Sequence, residues 1–210
     1  LRTIPNNTHA SLTRRFAWNI TNLFAWYGQK KKKKKVTDIT LNGTMIVHST
    51  FAMPRDGKLE LTRIIFPSTT EPALCEQYIL KNSGTGPARV EIPAARSEIK
   101  TNAAQGVDGS FSVIAAIDGQ TAKDLKEGEE VTFTATYSAY KSSEKEQTLN
   151  IDQELQARQN LVAEFWGKLV LDTPDPTIDR MFAFAKIRAA ESIYDTKGGL
   201  MHGPACASYY

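Results

Sequence analysis

The period of the hydrophobic pattern changes near residue 150, and this change constrains the fold more than any other feature of the chain. Before that point, apolar residues occur in short runs rich in β-branched and aromatic side chains. After it, apolar spacings of three and four residues predominate. The first pattern is typical of strands and the second of amphipathic helices, because side chains alternate along a strand but return to one helix face about every 3.6 residues. The sequence therefore predicts a β domain followed by helices.

Turn residues divide the first part of the chain into short strands. Residues 37–41 and 44–51 flank Asn42-Gly43, which predicts a type I′ hairpin because both turn residues tolerate a positive φ. Residues 131–137 alternate with a period of two, which predicts one buried and one wetter face. Further strands are predicted at residues 12–20, 23–27, 59–66, 74–80, 88–92 and 110–117. Strands at short spacing, with no alternation between strand and helix, favour an antiparallel β-sandwich.

Two helices are predicted after the strands, so the fold class is mainly β with C-terminal α. Residues 151–168 carry one apolar stripe, typical of a linker helix that lies against another element. The second helix should run from about Asp175 to Asp195, with Thr173 or Asp175 as its N-cap, before Lys197-Gly198-Gly199 ends it. Its buried stripe would consist of Ile178, Met181, Phe182, Ala185, Ala189 and Ile193.

One run of six lysines, Lys30–Lys35, accounts for the positive net charge. The chain carries +3, and +3 − 6 leaves −3 for the rest of it. A block of like charges is usually a solvated, repelling loop, although it can also bind nucleic acid or an anionic surface. Since no aromatic residue interrupts the run and no second basic cluster supports it, the loop is favoured and nucleic acid is not an expected partner.

The cysteine and histidine patterns do not indicate a metal or redox centre. Cys75 and Cys206 are far apart, which favours two unrelated thiols, although a disulfide between them stays open. The three histidines lack the spacing of a zinc site, and no phosphate-binding loop is present. We therefore expect no metal and no cofactor. We also expect no membrane-spanning segment, because no apolar run reaches about 18 residues.

Residues 171–194, LDTPDPTIDRMFAFAKIRAAESIY, resemble the first barrel helix of bacterial six-hairpin glycosidases, which are frequent in gut Bacteroidetes. The stretch GLMHGP at residues 199–204, followed by Tyr209-Tyr210, resembles the loop after that helix, although Ala205-Cys206-Ala207-Ser208 replaces a glycine-rich stretch. The resemblance implies an antiparallel β-sandwich, a linker helix and an (α/α)6-type barrel. The corresponding domains would be residues 1–148, 149–170 and 171–210.

The resemblance implies that the chain is the N-terminal portion of a glycoside hydrolase acting on oligo- or polysaccharides. In such proteins the acid and base carboxylates come from loops deeper in the barrel, so we expect this chain alone to lack them. It also implies a periplasmic or secreted location. His202, Tyr209 and Tyr210 are the candidate substrate-binding residues, because histidine and tyrosine can hydrogen-bond hydroxyls and pack against a sugar ring. Packing within their own loop is the alternative.

Two further expectations concern partners and charge. Ile178, Phe182, Ala185 and Ala189 should pack on the sandwich, on the missing barrel or on another copy, or stay partly exposed. Glu191 could face the barrel centre, but an ion pair with Arg188 or Lys197 is favoured.

A different function, a non-catalytic carbohydrate-binding or interaction module, would use aromatic residues of the sandwich, although core packing is the favoured role for them. These aromatic residues are Phe16, Trp18, Phe24, Trp26 and Tyr27.

Overall fold

A computed structural model describes residues 25–26, 33–52, 57–105, 109–196 and 198–202 of the 210-residue chain. The chain divides into two compact units, Leu1–Leu155 and Gln156–Tyr210. The strand predicted at residues 12–20 lies outside the described residues. Of the strand predicted at residues 23–27, the backbone of Ala25 and Trp26 is described.

Strands with alternating burial make up most of the first unit, and two further short strands, the last two in chain order, belong to the second unit. In chain order the strands are β1 (Ala25–Trp26), β2 (Lys33–Leu41), β3 (Met45–Ala52), β4 (Lys58–Pro67), β5 (Ala73–Asn82), β6 (Ala88–Ile92), β7 (Ala95–Lys100), β8 (Phe111–Asp118), β9 (Gln120–Leu125), β10 (Glu130–Lys141), β11 (Ile193–Thr196) and β12 (Gly199–His202). The helices are α1 (Ile151–Gly167) and α2 (Pro176–Glu191). In β6, buried and exposed residues alternate along the whole strand, as the period-two pattern predicts.

The first unit contains a large and a small antiparallel sheet. The large sheet has seven strands in the order β2-β3-β4-β5-β10-β8-β7, and the small sheet has three in the order β1-β6-β9. Side chains of both sheets meet in one hydrophobic core. The prediction of a mainly antiparallel, sandwich-like β fold followed by C-terminal helices is therefore confirmed.

The core between the two sheets is built around an aromatic pair. The rings of Tyr78 and Phe133 stack with their centroids 4.6 Å apart and their planes within 2° of parallel. Burial of a large apolar side chain contributes roughly 1.5–3 kcal/mol, so this core is a major source of the unit's stability. The other buried members of the core are Phe51, Leu59, Leu61, Leu80, Ala88, Val90, Ile92, Ile117, Leu125 and Ala135.

A smaller cluster lies on the opposite, outer face of the large sheet. Phe66 of β4 and Cys75 of β5 pack there with Ile151, the first residue of α1. Beside this cluster, Gln77 Nε2 donates a hydrogen bond to Asp152 Oδ1 at 2.6 Å. The first turn of α1 is thereby held on the outer face of the large sheet.

The hairpin predicted between β2 and β3 is confirmed, but its turn differs from the predicted type. Leu41 pairs with Met45, so the loop has three residues, and of these Gly43 has a positive φ, of 90°. Asn42 contributes its side chain instead: Oδ1 accepts a hydrogen bond from Thr44 Oγ1 at 2.8 Å. The prediction of a two-residue type I′ turn is wrong because this side-chain contact closes the loop without a second positive φ.

Part of the lysine run is strand rather than loop. Lys33, Lys34 and Lys35 begin β2, which is an edge strand of the large sheet. The prediction of a solvated loop is therefore wrong for these three residues, while residues 30–32 lie outside the described part of the chain. The charged side chains of Lys34 and Lys35 on an edge strand discourage pairing with the sheet of another molecule, which is a sufficient physical role for them.

In the second unit, α2 begins where the sequence predicts and ends earlier. Asp175 is its N-cap, and Oδ1 accepts a hydrogen bond from the Thr177 amide at 2.8 Å. The helix ends at Glu191 rather than near Asp195, because Ser192 Oγ bonds to a carbonyl of the last turn at 2.8 Å. The residues that follow pair as the hairpin of β11 and β12 instead of extending the helix.

The apolar stripe predicted to be buried on α2 is largely exposed in this chain. Ile178 is 49% exposed and Met181 is 67% exposed. Ile187, which the predicted stripe does not include, is the buried residue of α2, at 2%. The prediction of a buried stripe is therefore wrong for most of these residues, whereas partial exposure was the alternative that the sequence left open.

Gly119 permits a close approach between two turns of the sandwich and provides a test of the packing. A Cβ at Gly119 would lie 2.2 Å from the Ala94 nitrogen. We therefore expect Gly119→Ala to lower the free energy of unfolding by about 1–3 kcal/mol, the usual cost of overpacking, as measured by urea denaturation. Gly86→Ala is the control, since nothing lies within 4 Å of a Cβ there. Equal effects of the two substitutions would contradict this account.

Candidate functional site

His202 is the one predicted site residue whose position is described, and it lies at the end of β12. Its Nε2 is 2.9 Å from Ser192 Oγ. Since the Ser192 hydroxyl donates to the carbonyl of Ala189 at 2.8 Å, it accepts from the ring N–H of His202. The histidine is exposed and joins the hairpin to the end of α2. Tyr209 and Tyr210 lie outside the described residues, so a site formed by all three stays a prediction.

Glu191 takes part in ion pairs, as its sequence neighbourhood predicts. Oε2 pairs with Arg188 at 3.2 Å, and Oε1 accepts from Arg158 of α1 at 2.5 Å. The Arg188 pair was predicted from its spacing along the helix. The pair with Arg158 was missed because the two residues are far apart in sequence and on different helices. Lys197, the other predicted partner, lies outside the described residues.

A buried polar cluster on the core side of the large sheet was also missed. Glu76 is 3% exposed, and its two carboxylate oxygens accept from Arg63 at 2.6 and 2.9 Å. The Tyr78 hydroxyl donates to the same carboxylate, and burial together with this negative charge raises the pKa of Tyr78. Both carboxylate oxygens are thus engaged, so Glu76 is suited to a structural role rather than to proton transfer. The sequence signal that could have revealed this cluster is Glu76, a charged residue within a strand that carries several apolar residues.

A cleft of about 500 Å³ lies on the outer face of the large sheet, within the first unit. Four alternate residues of β10 line it: Thr134, Thr136, Ser138 and Tyr140. We call these four residues the hydroxyl row. Because alternate side chains share one face of a strand and lie about 7 Å apart, the four hydroxyls form a line along the cleft. This is the wetter face that the period-two pattern of residues 131–137 predicts.

The other walls of the cleft come from β7, β8 and the segment before α1. Asp118 of β8 pairs with Thr134 across the sheet and lines the cleft beside it. Arg96 of β7 donates to both carboxylate oxygens of Glu146, at 3.1 and 2.8 Å. This two-point ion pair ties the segment at residues 146–149 to the sheet. Gln147, Thr148, Leu149 and Ile151 complete the lining.

Tyr140 is a buried member of the hydroxyl row. The residue is 6% exposed, and its Oη is shielded from solvent. Burial, followed by the Glu71 carboxylate, raises the pKa of Tyr140, while hydrogen bonds with the Ser138 side chain and the Gln147 backbone act in the opposite direction. The hydroxyl therefore stays protonated at neutral pH.

The chemistry of the cleft suits binding rather than hydrolysis. A glycosidase needs two carboxyl groups, one of which must carry a proton as the general acid. Asp118 and Glu146 both line the cleft, but Glu146 is committed to Arg96 as an ion pair. Hydroxyl groups, by contrast, both donate and accept hydrogen bonds and can match an uncharged polar ligand.

The described residues contain no group of three or more His, Cys, Asp or Glu side chains that could hold a metal ion. No helix in this part of the chain is long and apolar enough to cross a membrane. Cys75 is a buried free thiol, and burial, followed by Glu154, raises its pKa to about 11. The thiol is therefore protonated at neutral pH and is not an activated nucleophile.

Comparison with known proteins does not add a family assignment. No protein-family model matches the chain, and no curated protein matches it. Function is therefore inferred from the residues, their geometry and the resemblance described above.

Glu154 anchors the loop before β5 and gives the first unit a pH-dependent contact. Its carboxylate accepts from Ser68 Oγ at 2.7 Å, Thr69 N at 3.2 Å and Thr70 Oγ1 at 2.7 Å. Burial acts to raise its pKa, but the three hydrogen bonds outweigh this and hold the pKa below 4.5. Because the folded pKa is lowered, the contact stabilises the fold above about pH 4.5 and is lost as the pH falls through the lowered value.

We therefore expect Glu154→Gln to destabilise the protein by about 1–2 kcal/mol at neutral pH, since hydrogen bonds to a charged acceptor are stronger than neutral ones. The difference from the unsubstituted protein should shrink as the pH falls from about 5 towards 3. Urea denaturation at several pH values measures both effects. Glu130→Gln, at an exposed carboxyl, is the control and should change stability by less than about 0.5 kcal/mol. A difference at Glu154 that is independent of pH would contradict the assignment.

Proposed function

We propose that this chain is the N-terminal portion of a six-hairpin glycoside hydrolase that acts on oligo- or polysaccharides. In this proposal the β-sandwich is an accessory domain, α1 is the linker helix, and α2 is the first helix of an (α/α)6-type catalytic barrel. The resemblance of residues 171–194 and 199–204 to that family supports it. The order of elements, antiparallel sheet followed by two helices, is compatible with it.

The exposed apolar surface of the second unit is the observation that best supports this proposal. Met181 is 67% exposed and Phe184 is 43% exposed, and Leu200 and Met201 of β12 are 76% and 58% exposed. A helix gains most of its stability from packing an apolar face against other elements. Exposed apolar side chains in this number indicate a surface that other helices cover. A barrel built from helical hairpins would supply such helices, and a second copy is the alternative.

The acid and base carboxylates belong, in this proposal, to barrel loops rather than to the described residues. Glu76 is paired with Arg63, Glu154 is held by three donors, and Glu191 pairs with two arginines. Each of these less exposed carboxylates thus has a structural partner. The sandwich and the first helix would then contribute stability and substrate contacts, but not the chemistry.

His202, Tyr209 and Tyr210 are the proposed contacts to the sugar. His202 is exposed and keeps one ring nitrogen for a ligand, since the other is engaged with Ser192. A carbohydrate substrate also makes a periplasmic or secreted location the natural one for the protein. The alternative function, a non-catalytic carbohydrate-binding module, is favoured by the hydroxyl-lined cleft of the sandwich rather than by the aromatic residues of the N-terminal segment.

The catalytic assignment is tested by assaying the purified 210-residue chain on a panel of aryl glycosides and soluble polysaccharides. We expect no release of aglycone or reducing ends above a heat-denatured sample, because the acid and base carboxylates lie elsewhere. Turnover by this chain would overturn that placement. The coding sequence after the Tyr210 codon is the second readout: an aromatic–Asn–Asp segment and further helical hairpins are expected there, and a different pattern would contradict the family proposal.

The exposed surface is tested by the double substitution Met181→Lys and Phe184→Lys. We expect fluorescence of the apolar dye ANS to fall, while the free energy of unfolding changes by less than about 0.5 kcal/mol, because both side chains are exposed. Thr177→Lys is the control, since it adds one lysine at an exposed position of the same helix without removing an apolar group, and it should leave the dye fluorescence nearly unchanged. Unchanged dye binding in the double variant would show that this surface is not available to a partner.

A further inference from the structure

We propose that residues 12–20 add a strand to the small sheet beside β1 and cover a part of the large sheet that is apolar but exposed. The covered part, which we call the open apolar surface, consists of Val36, Ile39, Leu41, Met45 and Leu74. All of these residues lie within the first unit, so this packing does not depend on the glycosidase proposal.

The open apolar surface faces the same side of the large sheet as the hydrophobic core. Ile39 pairs with Val47, and Val47 pairs with Arg63. Arg63 pairs in turn with Tyr78, a member of the core. Because directly paired residues point to the same side of a sheet, Ile39 points to the core side. The strand registers place the other four residues on that side as well: Val36, Leu41, Met45 and Leu74.

These side chains are exposed although their neighbours on the same side are buried. Phe51 and Leu61, on the adjacent strands β3 and β4, are 0% and 2% exposed. The exposed fractions within the open apolar surface are 45% for Val36, 54% for Ile39, 61% for Leu41, 37% for Met45 and 40% for Leu74. Large apolar side chains gathered on one exposed side of a sheet indicate a surface that another segment covers.

The small sheet can be extended towards this surface only from its β1 edge. Its other edge strand, β9, lies at the end of β5 that carries Asn82, because Leu125 O accepts from Asn82 Nδ2 at 2.9 Å. Among the described residues β1 forms the opposite edge, so a strand added beyond β1 lies farther from Asn82. Leu74 stands near the far end of β5, and Met45 lies in register with Glu76 two positions away.

The sequence of residues 12–20 has the pattern that this position requires. Leu12, Phe16, Trp18 and Ile20 alternate with polar or small residues. In an extended chain these apolar side chains share one side, with Arg14 among them near the start of the segment. A strand of this kind buries one side and leaves the other in water, as the outermost layer of a sandwich does.

Covalent attachment favours this segment over a second copy of the chain. Residues 21–24 join it to β1, and a loop of this length is typical of a β-hairpin. So short a tether holds the segment near the small sheet at an effective concentration in about the millimolar range. A second copy that paired along the edge strand β2 would instead bring Lys34 and Lys35 of two molecules together, which like charges oppose.

The packing is tested with the photoreactive amino acid p-benzoylphenylalanine, incorporated into the full 210-residue chain in place of Ile39. Irradiation should cross-link it to residues 12–20, as identified by tandem mass spectrometry of tryptic peptides. The same amino acid in place of Thr40 is the matched control, since Thr40 is also exposed. We expect at least about tenfold less of this cross-link from position 40, because successive side chains of a strand face opposite sides.

The other outcomes overturn the proposal. A cross-link between two molecules from position 39 would assign the surface to a second copy, and a cross-link to another part of the chain would assign it to that part. Equal yields from positions 39 and 40, or no cross-link from position 39, would leave residues 12–20 without the proposed role. Thermal unfolding of both labelled proteins, compared with that of the unlabelled chain, checks that each has kept its fold.

A second measurement uses the segment itself. Phe16→Ser combined with Trp18→Ser should raise ANS fluorescence about twofold, because the open apolar surface loses its cover. Arg15→Ser combined with Asn19→Ser changes the other side of the same segment and should leave the signal unchanged. No rise in the first variant, or an equal rise in both, would contradict the proposed packing. In this arrangement Trp18 faces the large sheet and is not available to stack on a sugar.

Discussion

Packing of the large sheet against the small one is the constraint on which the rest of the first unit depends. Tyr78 and Phe133 stack at its centre, and side chains of both sheets surround them. Because side chains alternate along a strand, turning Phe133 and Ala135 inward forces Thr134 and Thr136 onto the opposite face. The core therefore creates the hydroxyl row as a direct consequence of its own register.

Buried polar side chains are tolerated in this unit where hydrogen bonds inside it pair their polar atoms. Asn82 is 1% exposed, yet Nδ2 donates to the carbonyl oxygens of Gly86 and Leu125 at 2.8 and 2.9 Å, and Oδ1 accepts from the Gly84 amide at 3.0 Å. The bond to Leu125 links the large sheet to the small one. Removing a single partner from such a buried group would leave an unpaired atom, which is costlier than never burying it.

The two units offer different kinds of surface, and each has its own functional consequence. The sandwich has a polar cleft whose walls are fixed by the Arg96–Glu146 ion pair. The second unit has an apolar helix face that stays exposed. A polar cleft suits a small hydrophilic ligand, whereas an apolar helix face suits other helices. An accessory domain joined to the start of a helical barrel would combine both.

Much of the secondary structure could be predicted from local sequence, because its causes are local. The hairpin at Asn42-Gly43, the N-cap at Asp175 and the alternation along β10 each depend on residues within a few positions of one another. The end of α2 was misplaced, since a hydroxyl at Ser192 and the pairing of β11 with β12 compete with helix propensity there. Local pattern alone does not rank such competing bonds.

By itself, then, the sequence determined the order of elements, the alternation of faces and most turn positions of this protein. Only the tertiary structure decided that Arg63 and Glu76 meet on neighbouring strands, that Arg158 joins Glu191 across two helices, and that the hydroxyl row lines a cleft. The physical reason is the sequence distance over which each kind of interaction acts. Backbone preference and hydrophobic period act over a few residues, whereas ion pairs, burial and clefts depend on which distant strands and helices the packing brings side by side.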